Sequence, residues 1–207
     1  MKRKIAILAS GWSVEYLNAI ITSMQESAKG KNVDLYLFCC YKFYDFSGLP
    51  NSEGFKLFDI IDYKNFDGVI ILSDTIDDEK SLEQERLKIL ESGIKSVSLI
   101  RKLDGIKFIH SDNYSGFYQL ISHLIEEHKA TKIAYVGGPV EDIQSKERFT
   151  AYKDALSNHN IEYDPSLIFQ NGDWSYKYGY FNTKGLLSNP FIKRPDAIAC
   201  VNDIAAR

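Results

Sequence analysis

The stretch Lys132–Leu156, KIAYVGGPVEDIQSKERFTAYKDAL, has the pattern of a buried strand, a glycine turn and an amphipathic helix. The apolar run Ile133–Val136 predicts the strand, and the Gly-Gly-Pro sequence after it predicts the turn. A helix is predicted to begin near Ser145, because apolar side chains then recur at helical spacing: Phe149, Tyr152 and Leu156. Strand, turn and helix in this order are typical of a parallel α/β sheet.

Arg148 lies in the first turn of that predicted helix. A cation there opposes the partial positive charge that a helix carries at its N-terminus. The position therefore indicates that the guanidinium serves a group outside the helix, although a solvated surface arginine is an equally good interpretation of the local pattern. We expect Arg148→Ala to remove ligand binding with little loss of stability.

The same alternation of apolar strands and amphipathic helices continues through the whole chain, and a second series begins after Asp112. The strands show little alternation of polarity, which favours parallel sheets with helices on both faces. The predicted strands are Ile5–Ala9, Val33–Phe38, Val69–Leu72, Ser96–Ile100, Lys107–His110, Ile133–Val136, Leu167–Phe169 and Ala197–Val201. We therefore predict an α/β fold of two lobes with parallel sheets, residues 1–111 and residues 112–207.

The second half of the chain resembles the ligand-binding domain of the lactose-repressor-like (LacI/GalR) family. Besides Lys132–Leu156, segments in the family's order carry the resemblance: Ser111-Asp112-Asn113, Leu124-Ile125, Gly179, Leu186-Leu187, Pro195–Ile198 and Asn202-Asp203. The first half of the chain matches the family only in the order of its predicted strands and helices. The resemblance implies two Rossmann-like lobes of the periplasmic-binding-protein-like type I fold, with a small ligand between them, and a homodimer.

Composition excludes several functions. The net charge of −3 gives no bias toward nucleic acid, and no apolar run is long enough for a membrane span or a signal peptide. We expect a cytoplasmic protein with free cysteines and no cofactor. The four histidines show no metal spacing, since even His123 and His128 are five apart and do not share a helical face. No phosphate-loop, dinucleotide-binding or nucleophile-elbow motif occurs.

Polar and aromatic residues follow the predicted strands, at the edge where parallel sheets bind ligands. The first lobe offers Trp12, Ser13, Phe43, Ser73, Asp74 and Arg101. The second lobe offers Arg148, Asp173, Trp174, Asn202 and Asp203. Aromatic faces with charged donors and acceptors suit a carbohydrate, so we predict a small polar, sugar-like ligand.

Each of these residues also has a structural interpretation. Trp12 and Trp174 suit packing at a lobe edge, and Asp173 and Asp203 suit helix N-caps. The resemblance implies that Arg148 and Asp203 contact the ligand.

Three functions remain open from the sequence. The first is a sensor domain of a LacI-type transcriptional regulator, or a sensor fused to a signalling enzyme such as a diguanylate cyclase. The second is a transport-type binding protein. The third is an α/β enzyme acting on a sugar or nucleotide, with Asp74, Asp173 or Asp203 as base, although no assembled catalytic set supports it.

Two further expectations concern DNA binding and the completeness of the second lobe. The helix-turn-helix region of LacI-type regulators precedes the first strand, which here begins at Ile5, so we expect no DNA binding by this segment alone. Only about one helical turn follows the last predicted strand. We therefore expect an incomplete second lobe, which a longer chain or another copy would complete.

Overall fold

The computed structural model describes residues 2–11, 15–40 and 52–207. Three candidate residues, Trp12, Ser13 and Phe43, lie outside the described residues. The chain divides into two compact units, Met1–Ser111 and Asp112–Arg207. We call them the first unit and the second unit and describe each by itself.

The first unit contains a five-stranded parallel sheet. In chain order the strands are β1 (Arg3–Ser10), β2 (Val33–Cys40), β3 (Gly68–Leu72), β4 (Ser96–Leu99) and β5 (Lys107–Ile109). Their order in the sheet is β2-β1-β3-β4-β5. All five lie close to the predicted bounds.

Helices cover both faces of this sheet, which explains why its central strands are apolar throughout. Helix α1 (Glu15–Ala28) places Leu17 against Ile7 on one face. Helix α2 (Glu79–Ser92) and a 3-10 segment (Ser52–Ile60) pack on the other face, where the neighbouring residue Leu8 is buried. Alternate residues of one strand thus enter two different cores.

The second unit contains a three-stranded parallel sheet in the order β7-β6-β8. Its strands are β6 (Ile133–Val136), β7 (Ile168–Phe169) and β8 (Ala197–Cys200). Helices α3 (Asn113–Glu126) and α4 (Ile143–Asn158) cover one face, and α5 (Tyr176–Ser188) covers the other. The central strand β6 is completely buried.

The start of α4 differs from the prediction. The helix begins at Ile143, and its N-cap is Asp142, whose side chain accepts a hydrogen bond from the Ser145 N–H. An aspartate in this role satisfies backbone donors that the helix itself leaves open. Arg148 is therefore in the second turn, so the prediction of a first-turn arginine was wrong, and the argument from the helix dipole is weaker than the sequence indicated.

Among the helices of the described residues, none combines the length and the apolar character that crossing a bilayer would require.

Candidate ligand-binding site

Arg148 reaches from α4 to the carboxyl end of β8 in the second unit. Its Nη1 donates a hydrogen bond to the carbonyl oxygen of Val201, the residue directly after that strand. Its Nε and Nη2 lie 3.1 and 2.7 Å from Oδ1 of Asn113. Asn113, the buried first residue of α3, in turn donates from Nδ2 to Glu147 at 3.1 Å. The arginine therefore connects two helices with the end of a strand.

The charge of Arg148 is met by neutral oxygens. No carboxylate of the described residues forms an ion pair with it, and the side chain is half-buried. Burial lowers the pKa of the guanidinium, an effect that the nearby Tyr135, Asp142 and Glu147 oppose. An arginine stays protonated even so. Since three of its five N–H groups are used by the described residues, two remain for a ligand.

Trp174 lies beside this arginine. The Arg148 guanidinium carbon is 5.6 Å from the indole centroid, within cation–π range. The Trp174 backbone is in the left-handed region with φ 66°, and its carbonyl accepts a hydrogen bond from Nδ2 of Asn202 at 3.3 Å. Asn202 also accepts, through Oδ1, the Ala205 N–H at 2.8 Å. The structure therefore joins three of the predicted residues, Arg148, Trp174 and Asn202, in one cluster.

Two glycines allow the loops of this cluster to approach closely. A Cβ on Gly138 would lie 3.2 Å from both the Ser145 hydroxyl and the Trp174 ring. A Cβ on Gly172 would lie 2.4 Å from the carbonyl oxygen of Gly137, closer than atoms tolerate. Glycine at these positions therefore lets the turn after β6 contact the segment that carries Trp174.

Tyr135 adds a buried hydroxyl beneath the cluster. The residue is fully buried on β6, and its hydroxyl has no hydrogen-bond partner of good geometry among the described residues, although Ser145 is a close neighbour. Burial raises the pKa of this phenol, and the positive charge of Arg148 partly offsets the effect. The hydroxyl is therefore neutral and keeps its proton near neutral pH.

The two aspartates predicted for this unit are not joined to the cluster by any described contact. The Asp173 side chain is exposed and accepts the Ser175 N–H at 3.0 Å. The hydrogen bonds from Ser175 lower its pKa. The Asp203 side chain is 85% exposed and lies 4.0 Å from Arg207. The N-cap of α5 is Ser175, so the interpretation of Asp173 as the cap was wrong, and its side chain instead orders the turn before the helix. Ligand contact through Asp173 and Asp203 stays a prediction.

In the first unit, Ser73 and Arg101 contact each other. Ser73 is fully buried; its hydroxyl donates to the Leu99 carbonyl at 2.6 Å and accepts the Arg101 N–H at 3.2 Å. The Arg101 Nη2 lies 2.7 and 2.8 Å from the two carboxylate oxygens of Glu79. Asp74, next to Ser73, is half-buried. The Ser73 hydroxyl is therefore used inside the unit, which is a structural role that the sequence did not indicate.

Sequence reasoning missed Asn113, Tyr135 and Ser145 as members of the cluster in the second unit. Asn113 was visible as a residue of the segment that begins α3, directly after the N-cap Asp112. Nothing in the local pattern of Tyr135 distinguishes it from an ordinary core residue. Its hydroxyl becomes informative only once its surroundings are known.

The chain has relatives among known regulators. It is 30% identical over 156 residues to catabolite control protein A of Staphylococcus xylosus, which is 74% of this chain and 44% of that protein. It is 27% identical over 157 residues to the HTH-type transcriptional repressor CytR of Escherichia coli K12, again 44% of that protein. The chain thus spans about half the length of these relatives. No family model matches it.

Solved structures agree on the fold. The transcription regulator CcpA of Lactococcus lactis superposes with a TM-score of 0.69 at 23% identity, over 100% of this chain and 70% of that chain. A periplasmic solute-binding protein from Actinobacillus succinogenes with bound D-allose gives 0.76 at 21% identity, over 99% and 70%. The predicted fold is confirmed: the chain has the α/β fold with parallel sheets of the periplasmic-binding-protein-like type I class, which these LacI-family regulators and periplasmic binding proteins share. Its homologues are LacI-family transcriptional regulators.

Proposed function

We propose that this chain is the sensor domain of a LacI-type transcriptional regulator and binds a small polar, sugar-like ligand. The observation that carries the proposal is Arg148 at the carboxyl end of β8, charged, within cation–π range of Trp174, and with two N–H groups that no described hydrogen bond uses. The names of the relatives favour a regulator over the transport protein, the signalling-enzyme fusion and the α/β enzyme.

The ligand class follows from the chemistry of the cluster. A guanidinium donates in-plane hydrogen bonds to pairs of oxygens, and an indole offers a flat apolar face to the C–H groups of a ring. A polyhydroxylated ring presents both features. The similar protein that holds D-allose supports this choice of class. We further propose that the chain acts in the cytoplasm as a homodimer and catalyses no reaction.

A thermal-shift screen identifies the ligand. The probes are neutral monosaccharides including D-allose, the corresponding sugar phosphates, and nucleosides. A ligand at 100 times its Kd raises the free energy of unfolding by about 2.7 kcal/mol, so a binder gives a clear rise in Tm. Mass spectrometry of the incubated probe then checks that it is bound and released unchanged, as expected for a sensor and not for an enzyme.

Arg148→Ala tests the site with the ligand found. Loss of hydrogen bonds from a charged group costs about 1.5–3 kcal/mol, or roughly 10- to 150-fold in Kd. The matched control is Arg194→Ala, an exposed arginine of the same unit before β8, which we expect to bind as wild type. Binding by a folded Arg148→Ala within twofold of wild type would show that the site is placed wrongly.

A further inference from the structure

Two histidines outside the ligand site lie in direct contact at the end of α3. His123 is in the last turn of that helix, and His128 follows its end by two residues. The Nε2 atoms of the two rings are 3.1 Å apart and share a hydrogen bond, which a bound ion would replace. The ring centroids are 4.9 Å apart with planes at 76°. Both side chains are exposed, so their nitrogens are accessible from solvent.

Helix α3 ends between the two histidines. Its last residue is Glu126, and Lys129 then takes up the left-handed region with φ 56°. The Ala130 N–H reaches back to the Leu124 carbonyl at 3.1 Å, which closes the end of the helix. His128 therefore lies in the turn beyond the helix, and its ring contacts the His123 ring although the two positions do not share a helical face. The spacing gave no indication of this contact.

The distance between the two nitrogens suits a chelated metal ion. Imidazole nitrogens bind Zn²⁺ at about 2.0–2.1 Å, so two of them on a tetrahedral ion lie about 3.3 Å apart. Two bonds at right angles, as on an octahedral or square-planar ion, bring them to about 2.9 Å. The observed 3.1 Å falls between these values. We propose that His123 and His128 form a two-histidine chelating site for a divalent transition-metal ion.

The metal class follows from the ligand set. Imidazole favours Cu²⁺, Ni²⁺ and Zn²⁺, with affinity rising toward copper, whereas Mg²⁺ and Ca²⁺ prefer oxygen ligands. Within the described ranges, no group of three or more His, Cys, Asp or Glu side chains is placed to hold a metal. Water therefore completes the coordination, which makes this an open site of moderate affinity.

A third histidine nearby is engaged elsewhere and provides a matched control. The His159 Nε2 lies 3.1 Å from the Ser122 hydroxyl and 3.5 Å from Glu126. It is on the same unit and close to the same helix end, but it does not contact the His123–His128 pair in any described interaction. Replacing it should therefore leave the pair intact.

Bound metal should also stabilise the second unit. His123 belongs to α3 and His128 to the turn beyond it, so one ion bridges the helix to the segment that leads into β6. An ion that binds only the folded arrangement raises Tm in proportion to the logarithm of its concentration above Kd. This readout is independent of any small-molecule ligand.

The experiment is calorimetric titration of NiCl₂ and ZnCl₂ into the tag-free, chelator-treated chain under reducing conditions. We expect the wild-type chain to bind one equivalent of Ni²⁺ through His123 and His128. The affinity for Ni²⁺ should be at least tenfold lower in His123→Ala and in His128→Ala. His159→Ala should bind as wild type. Circular dichroism checks that each variant is folded, and His123→Gln/His128→Gln repeats the test with polar side chains.

Two outcomes would overturn the proposal. One is no binding by the wild-type chain at millimolar Ni²⁺ and Zn²⁺. The other is equal affinity in wild type and in the folded single variants, which would place the metal at another residue. A Tm that rises with Ni²⁺ in wild type and in His159→Ala, but not in the two pair variants, supports it.

Discussion

The two units hold an arginine at the carboxyl end of a strand in different ways. Arg101 in the first unit pairs with a carboxylate, Glu79, whose side chain is 73% exposed. Arg148 in the second unit is half-buried, and its hydrogen bonds to the described residues go to neutral oxygens, those of Asn113 and Val201. A carboxylate of the protein compensates the charge of Arg101. The neutral partners of Arg148 orient its guanidinium group but do not compensate its charge. An arginine prepared in this way can still bind a polar ligand.

Carboxylates have two kinds of partner, and both kinds occur in each unit: Glu141 of the second unit pairs with Lys146 at 2.9 Å, and Asp67 of the first unit accepts the Lys4 N–H at 2.7 Å. Two further sets of contacts illustrate the two kinds. In the first unit, Asp59 pairs with Lys88 at 2.8 Å and Glu83 with Arg86 at 2.6 Å. In the second unit, Asp196 accepts three hydrogen bonds from neutral groups of Thr131 and Lys132. Salt screens exposed ion pairs but affects such local hydrogen bonds less. The predictions below compare contacts of the two units, beginning with the largest expected effect.

Gly179→Ala should disrupt the second unit and leave the first unit intact. A Cβ on Gly179 would lie 1.9 Å from the Ala205 carbonyl oxygen, and backbone cannot yield as a flexible side chain does. We expect a loss of about 3 kcal/mol in the free energy of unfolding. Asn202, which caps the Ala205 N–H, should then shift and weaken its contact with Trp174. Urea unfolding followed by Trp174 fluorescence in a Trp12→Phe background measures both effects.

The matched control for that variant is Gly185→Ala. Gly185 is on the same helix, and a Cβ there meets nothing within 4 Å. Alanine should therefore stabilise the helix by up to about 1 kcal/mol. Equal stability of the two alanine variants would contradict the close approach of α5 to residue 205.

Arg148→Ala should destabilise the protein more than Arg101→Ala does. Arg148 makes three hydrogen bonds to the protein, and its loss should cost about 2 kcal/mol. This revises the expectation of little loss drawn from the sequence, because the sequence did not show that the side chain ties two helices to β8. Arg101 pairs with the exposed Glu79 and makes two long hydrogen bonds from Nη1, to the carbonyl oxygens of Ser73 at 3.5 Å and Ile76 at 3.4 Å. Together these should contribute less than about 1 kcal/mol.

Salt sharpens the test of these two arginines. Urea unfolding at low and at 1 M NaCl should reduce the Arg101 contribution and leave that of Arg148 nearly unchanged, since screening acts mainly on exposed charges. If Arg101→Ala proves the more destabilising variant, or if both respond equally to salt, the proposed contrast between the units does not hold.

Asp196→Asn should have the smallest effect on stability, and that effect should be present near neutral pH and disappear in acid. Hydrogen bonds from the Thr131 N–H, the Thr131 hydroxyl and the Lys132 N–H lower the pKa of Asp196. A lowered folded-state pKa means that the unfolded chain binds the proton more readily. The contribution is therefore full above the unfolded pKa of about 3.9 and is lost as pH falls through the folded-state pKa.

Urea unfolding between pH 2 and 5 measures this contribution. Stability should fall less steeply with acid in Asp196→Asn than in wild type, and Thr131→Val, which removes only the hydroxyl bond, should be intermediate. An Asp196→Asn curve parallel to wild type across the range would show that these hydrogen bonds do not govern acid unfolding of the second unit.

Much of the fold could be predicted from the sequence because its signals are local. The apolar run Ile133–Val136 matches β6 residue for residue. Gly30, two residues after α1 ends, takes up the left-handed conformation that glycine favours, with φ 74°. Errors concern helix ends, where several residues compete for the cap. Asp142 has a short carboxylate that reaches the Ser145 N–H, so α4 begins earlier than the apolar spacing alone indicated.

The sequence by itself determined the strand and helix order, the edge of each sheet that bears polar residues, and the presence of an arginine on α4. Only the tertiary structure decided the partners of that arginine. Asn113 is 35 residues before it and Val201 is 53 residues after it, so no local pattern could show those contacts. The same holds for His123 and His128, whose ring contact across the end of α3 the spacing of five residues did not indicate. Periodicity reports which face of an element is buried, whereas the approach of two side chains depends on packing and backbone turns that periodicity does not encode.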